Sequence, residues 1–239
     1  MVGEHLNNND LIVNGENFHY LINVLRLKKD SIFYIFNGID KEIKAKIIKI
    51  DKSYLTAKVL EEKNILSKPH IIIDIAQAIP KKDKMDLIIE KCTELGVNNI
   101  YPVITKRTIP QLDDKKEIKR IERWKKIAKS ASIQSKRDNI PEINNILPIS
   151  KLLEKADNYD LVIVPWEEEK IISLKQALKN KKSSKKILVV IGPEGGFSSD
   201  EINIFKKYNA TIVSLGKRIL RTETAALAVL SIINYEFGL

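Results

Sequence analysis

A single cysteine, Cys92, stands in the 239 residues, which excludes an internal disulfide framework and a zinc site built from cysteines. Long apolar runs are also missing. None approaches the roughly 20 residues that a membrane-spanning helix needs. The opening, Met1 to Asp10, is polar and has no apolar stretch of the signal-peptide kind. No internal repeat is visible, and low complexity is confined to Lys179–Lys186. The expectation is a soluble cytoplasmic protein that needs no metal. Hydrophobic residues at 44% allow a sizeable core, and the length fits one large domain or two ordinary ones.

Acidic residues are in short supply: 31 Asp and Glu face 41 Lys and Arg, giving a net charge of +10. A balance this basic points to a polyanionic partner without saying anything about fold. The excess is concentrated. Between Lys106 and Arg137 twelve basic residues meet four acidic ones, so this stretch carries eight of the ten net charges. A solvated helix face in a lysine-rich chain would carry the same signature.

The first 60 or so residues read as a small β-rich unit. Ser31–Phe36 is aromatic and β-branched and runs into Asn37-Gly38, a hairpin turn signal. Glu42–Ile50 alternates, with Ile43, Ala45 and Ile47 on one side, and Ser53–Leu60 does the same through Leu55, Ala57 and Val59. A short helix over Glu16–Leu25 precedes them, and Glu61–Pro69 reads as a linker.

Beyond His70 the rhythm changes. Short apolar runs at Ile71–Ala76, Ile100–Ile104, Leu161–Pro165, Ile187–Ile191 and Thr211–Leu215 alternate with helical patterns. Asp83–Leu95 places Met85, Ile88, Cys92 and Leu95 on one face and stops at Gly96. Lys115–Gln134 places Ile118, Ile121, Trp124, Ile127, Ala128 and Ala131 on one face and most basic residues on the other. Ser198 and Glu201 form a capping-box pattern for a helix to Tyr208. The last helix, Thr224–Phe237, is apolar nearly all round, which asks for burial on most sides and, near a chain end, for a partner subunit. Strand–helix alternation of this kind predicts an α/β fold with a mostly parallel sheet covered on both faces.

Two glycine-bearing segments follow predicted strands and open helices. Gly192-Pro193-Glu194-Gly195-Gly196-Phe197-Ser198 is neither a P-loop nor a G-x-G-x-x-G fingerprint. Taken alone, it is equally a tight strand–helix turn. Leu215-Gly216-Lys217-Arg218-Ile219-Leu220-Arg221-Thr222-Glu223-Thr224-Ala225 repeats the arrangement, and Arg221 with Glu223 there also suits a charge pair and a cap. Two such loops at neighbouring strand ends favour a shared ligand pocket.

Together these two segments resemble the SPOUT superfamily of methyltransferases, and more narrowly the RsmE family of 16S ribosomal RNA uridine-N3 methyltransferases. The same resemblance runs through Pro80–Asp86, Lys91–Val97, Glu122–Ala128, Gln134–Arg137 and, near the start, His19-Tyr20-Leu21 with Val24-Leu25-Arg26. It covers nearly the whole chain in order. Lys81 departs from the pattern, standing where relatives carry Gly. The resemblance implies a PUA-like β-barrel RNA-binding domain over residues 1–68 and a SPOUT methyltransferase domain over 70–239, with its C-terminal segment threaded as a trefoil knot. It implies S-adenosyl-L-methionine held by three loops, through Val164, Pro165, Trp166, Gly192, Glu194, Gly195, Gly196, Leu215, Gly216, Ile219, Leu220, Arg221, Thr224 and Ala225. It further implies a homodimer and a substrate in 16S rRNA or the assembled small ribosomal subunit.

Methylation of uridine at N3 requires removal of the N3 proton and alignment of the nitrogen with the methyl group. Arg221 is expected to stabilise charge on the uracil carbonyls and Glu223 to accept the proton, although an ion pair between the two would lower the basicity of Glu223. Glu194 is also suited to satisfying amides of its own loop. The expected RNA contacts are Arg26, Lys119, Arg120 and Arg123. His5, His19 and His70 lie away from these motifs, and Tyr101, Trp124 and Trp166 read as packing residues. Two alternatives stay open from the residues alone. One is the same fold acting on a ribose 2′-hydroxyl or a transfer RNA base. The other is a non-catalytic RNA-binding ribosome-assembly protein.

Overall fold

The computed structural model describes residues 4–6, 10–36, 41–64, 71–108, 114–181 and 183–237. The Asn37-Gly38 turn lies outside them, as do residues 65–69 of the expected linker and His70. The chain divides into two compact units, Met1–Lys68 and Pro69–Leu239.

The first unit is one antiparallel sheet of β1 (Glu4–Leu6), β2 (Asp10–Asn14), β3 (Ile32–Phe36), β4 (Lys41–Ile50) and β5 (Tyr54–Asn64), in the order β1-β2-β5-β4-β3. The alternation seen in the sequence is the alternation of its faces: Ile43, Ala45, Ile47, Leu55, Ala57 and Val59 are all buried. Two register shifts in the β4–β5 ladder, at Lys44/Ala45 and Ile47/Lys49, mark irregularities of the kind that coil a sheet on itself. β5 runs on to Asn64, so the first part of the expected linker is strand. β1 and β2 go beyond the sequence expectation, although Leu11 and Val13 alternate on β2 and both are buried. The helix is α1 (Gly15–His19), continued as a single π-type turn over Tyr20–Val24 that buries Leu21.

The second unit is a parallel sheet. β6 (Ile72–Ala78) leads through α2 (Lys84–Glu94) to β7 (Asn99–Ile104). α3 (Asp114–Gln134) then reaches the short strands β8 (Glu142–Ile143) and β9 (Leu147–Pro148), both paired to β7. After α4 (Ile149–Leu153) come β10 (Leu161–Pro165), α5 (Leu174–Lys179), β11 (Lys186–Ile191), α6 (Ser199–Lys207), β12 (Thr211–Val213) and α7 (Thr222–Phe237). The spatial order is β12-β10-β11-β6-β7-β8, so β11 enters between two strands made earlier.

Each central strand is buried on both faces, which is why the runs read as continuously apolar. Ile73, Ile75, Ile163, Ile187 and Val189 join one core with residues of α2, α3, α5 and α7. Ala76, Val162, Val164, Leu188 and Val190 join another with α4 and α6. The Ser198–Glu201 capping box forms as the sequence predicts, and a second, Ser173–Gln176, caps the unforeseen α5.

Two helices differ from expectation. On α3, Ile121, Trp124, Ala128 and Ala131 are buried, but Ile118 is 58% exposed because it lies off that stripe near the helix start. On α7, Ala225, Ala226, Val229, Leu230 and Ile233 face the core, whereas Ile232 is partly exposed and Tyr235 is 84% exposed. The helix is therefore apolar all round but covered on one side. Among the described residues no helix is long and apolar enough to cross a membrane, and no cluster of metal-ligating residues occurs.

Candidate functional site

All strands of the second unit point the same way, so the loops after β10, β11 and β12 meet at one edge of the sheet, where ligands bind in open α/β folds. They enclose a cavity of about 480 Å³, within the range of small-molecule sites. Of the residues singled out in the sequence, Pro165, Trp166, Gly192, Glu194, Gly195, Gly196, Leu215, Gly216, Ile219, Leu220, Arg221 and Ala225 line it. Val164 lies buried inside β10 and Thr224 is exposed on α7; neither is part of the lining. Sequence reasoning misses Lys84, Glu167, Phe197 and Thr222, which do line it.

The segment after β11 is fixed by contacts on every side. Gly196 has φ +66°, a backbone state that disfavours other residues, and a Cβ there would fall on the Glu167 carboxylate. Gly192 is needed for a different reason: the Phe197 ring lies 3.2 Å from where its Cβ would be. Phe197 in turn packs edge-on against Phe205, with centroids 4.9 Å apart. The Gly196 amide donates to the Pro193 carbonyl at 2.9 Å. Arg107 donates to the Gly195 carbonyl at 2.5 Å. Glu201, besides capping α6, accepts from the Lys106 amide at 2.8 Å. The segment 105–108 is thus docked on this loop, a connection between residues about 90 positions apart that periodicity cannot reveal.

The chain after β12 returns from the edge of the sheet to its centre. Ser214 donates to Ile172 O at 2.8 Å and accepts from the Leu174 amide at 3.1 Å. Eight residues later the Thr222 hydroxyl donates to Gly192 O at 2.6 Å and accepts from Gln77 Nε2 at 2.9 Å. Thr222 and Gln77 are both buried, so this chain of bonds joins β6, the β11 loop and α7 where water cannot replace it.

The charged groups pair differently from the sequence expectation. Glu223 does not meet Arg221. Its carboxylate, 14% exposed, lies 3.2 Å from Lys84 Nζ, and Lys84 lies 3.2 Å from Glu194 as well. Arg221 is exposed and lines the cavity. Glu194 also accepts from the Lys81 amide at 3.1 Å. Burial opposes its charge, but its own amide, Lys84 and the Lys81 amide outweigh that and hold the carboxyl below the usual range. Burial likewise opposes the Lys84 charge, and the two carboxylates more than offset it, raising the ammonium above the ordinary lysine value. The turn at Lys81 takes its positive φ at Lys82, +58°, so the departure at position 81 needs no glycine. Cys92 is a core residue whose thiol burial pushes up to about 12.

The basic stretch is less uniform than its composition. Arg123 pairs with Asp86 on α2. Arg137 is partly buried, donates to Thr93 O at 2.7 Å, and is lowered to about 10 by burial. Lys106 pairs with Asp200 at 3.0 Å. Lys119, Lys125 and Lys126 lie on the exposed side of α3, with Arg120 half-buried beside them. Arg26, in the first unit, is exposed with φ +54°.

An antiparallel β unit followed by a parallel α/β unit with a three-loop cavity agrees with the family matches. Residues 13–60 match the RNA methyltransferase PUA domain and residues 67–234 the RNA methyltransferase domain, which defines the class of protein as an RNA methyltransferase. The protein called ribosomal RNA small subunit methyltransferase E in Bacillus subtilis is 33% identical over 228 residues, covering 94% of this chain and 89% of its own. A crystal structure of the protein of that name from Neisseria gonorrhoeae, bound to S-adenosyl methionine, has a TM-score of 0.84 and 30% identity over 98% of this chain and 95% of that one. A methyltransferase from Legionella pneumophila, solved with its cofactor SAM, has a TM-score of 0.81 and 29% identity over 98% and 94%. The chain belongs to the family of ribosomal RNA small subunit methyltransferase E.

Proposed function

We propose that this protein uses S-adenosylmethionine to methylate a uridine at N3 in 16S ribosomal RNA of the small subunit. The observation that carries the reading is the cavity where the loops after β10, β11 and β12 meet, in a chain that matches cofactor-bound relatives along nearly all its length. The cavity fits the cofactor: it has the right volume, and the Trp166 indole N–H at its wall is buried with no partner among the described residues. A path from β12 back across the sheet, pinned at Ile172 and again at Gly192, supports a C-terminal trefoil knot. A ribosomal substrate puts the activity in the cytoplasm.

When bound, S-adenosylmethionine supplies an electrophilic methyl group. The residues of the glycine loop, Leu215–Leu220 and Trp166 hold it. Glu223 accepts the N3 proton, and Arg221, free of Glu223, faces the uracil carbonyls and offsets the charge that develops there. Mass spectrometry of nucleosides from small-subunit RNA, with and without the gene, tests this. An N3-methyluridine that disappears with the gene supports it, and an unchanged nucleoside profile refutes it. Calorimetric binding of S-adenosylmethionine separates the enzyme from a non-catalytic RNA-binding protein.

RNA is met by the exposed side of α3, through Lys119 and Arg120, and by Arg26; Arg123 contributes less because Asp86 already holds it. Each neutralised phosphate releases counterions. Lys119→Gln with Arg120→Gln should therefore weaken RNA binding and flatten its salt dependence by roughly 0.7–0.9 log units for each phosphate that goes unneutralised. Filter binding over a salt series reads this, and an unaltered slope removes α3 from the interface. The uncovered side of α7, with Ile232 and Tyr235, supports a homodimer. Sedimentation is expected to give about twice the 27.3 kDa chain mass, and an active monomer would refute it.

A further inference from the structure

Three charged side chains from three separate elements meet beside the cavity: Lys84 and Glu194 line it, and Glu223 touches Lys84 without being part of the lining. Lys84 opens α2, Glu194 lies in the loop after β11, and Glu223 lies in the first turn of α7; Lys84 Nζ is 3.2 Å from each carboxylate. An ammonium has three N–H donors. The contacts are ion pairs: Glu223 Oε2 is buried without a hydrogen-bond partner among the described residues, so donors of Lys84 stay available, on a residue that is itself part of the cavity lining.

The uridine-N3 reading gives this arrangement a purpose, and the role assigned to Lys84 rests on that reading. Removing the N3 proton turns a neutral base into an anion spread over N3 and the two carbonyl oxygens. A carboxylate alone, before it accepts the proton, would oppose the growth of that charge, and would leave its compensation at N3 to Arg221, which faces the carbonyls. A lysine beside the acceptor changes the balance as the proton moves. Arrival of the proton neutralises Glu223, and the positive charge that had been paired with it is left facing the base. The second partner, Glu194, is anchored by the Lys81 amide and fixes where the ammonium sits.

We propose that Lys84 is a positioning residue of the methyl transfer, holding Glu223 in place before the proton moves and compensating the uracil anion once it has moved. In that step the N3–H bond breaks and the proton goes to a Glu223 carboxylate oxygen. The N3 electron pair forms the new bond to the donated methyl group, whose former bonding pair stays on sulfur.

The test measures single-turnover transfer to RNA carrying either uridine or 5-fluorouridine at the target, since fluorine makes N3 more acidic. S-adenosylmethionine affinity and thermal unfolding are measured on the same variants. Lys84→Met is expected to slow transfer to uridine roughly 100-fold while leaving cofactor affinity within about 3-fold of wild type. On 5-fluorouridine about 10-fold of that loss should return, and Lys84→Arg should keep most of the rate. If Lys84→Met does not stay folded at the assay temperature, Lys84→Gln carries the same comparison. Equal losses on both RNAs, or a fall in cofactor affinity as large as the fall in rate, overturn the proposal and leave Lys84 a brace between loops. A wild-type product methylated at another atom would instead sink the uridine-N3 reading, and mapping the product shows that separately.

Discussion

The segments 192–198 and 215–221 both follow a buried parallel strand and both precede a helix, yet they are tied down to different extents. The first is held by Arg107 on Gly195 O, Thr222 on Gly192 O, Lys81 on Glu194 and the Phe197 ring packed against Gly192. In the second, among the described residues, the Gly216 amide reaches only the Ser214 hydroxyl at 3.3 Å, and Ile219 is 85% exposed. One wall of the cavity is preorganised by the rest of the protein. The other is anchored at its ends, by the Ser214 pairing and by Thr222, and open between them. A rigid wall lowers the entropy lost on binding a small molecule, whereas an open one leaves side chains free to meet a macromolecule.

That contrast can be broken experimentally. Gly196→Val should have the largest effect, because it forces a β-branched residue to φ +66° against Glu167. Strain of about 1–3 kcal/mol predicts a roughly 5- to 150-fold loss of S-adenosylmethionine affinity by calorimetry, with the far-ultraviolet circular dichroism kept. Gly195, whose φ is ordinary and whose Cβ would meet the Arg107 stem at 3.4 Å, should tolerate Ala far better. Ile219→Ser, in the open wall, should have the smallest effect: cofactor affinity within about 2-fold and stability within about ±0.5 kcal/mol, read by calorimetry and urea unfolding. If Ile219→Ser cost as much cofactor affinity as Gly196→Val, the two walls would not differ in kind.

What is legible in the sequence depends on range of interaction. Alternation along β4 and β5, the apolar strands of the parallel sheet and the Ser198–Glu201 cap depend on neighbours a few residues apart, and all can be read. Both glycine loops are found for the same reason. Lys84 is missed because its partners are 110 and 139 positions away, and nothing local distinguishes it from the lysines around it. Thr222 is missed because a hydroxyl at a helix start looks like a cap, whereas its partners are Gln77 and Gly192. Arg221 and Glu223 pair on paper by proximity in sequence; two residues apart at a helix start, they point in different directions. The uniform apolar composition of α7 hides which side is covered. Strand order is illegible for a topological reason, since β11 pairs with β6 across more than 100 residues.

That insertion has a consequence for how the chain is made. Synthesis proceeds from the N-terminus, and the first unit draws on residues up to 64 alone, so it can fold early. The second unit cannot. Until Lys186–Ile191 leaves the ribosome, β6 and β10 lack the strand that lies between them, and their backbone edges and apolar faces stand open to other chains. Every nascent molecule passes through this interval of about a hundred residues of growth with the middle of its sheet absent. The longer the pause there, the greater the demand on chaperones. A pause in translation just before codon 186 should therefore lower the yield of native protein more than an equal pause just before codon 72, where β6 begins.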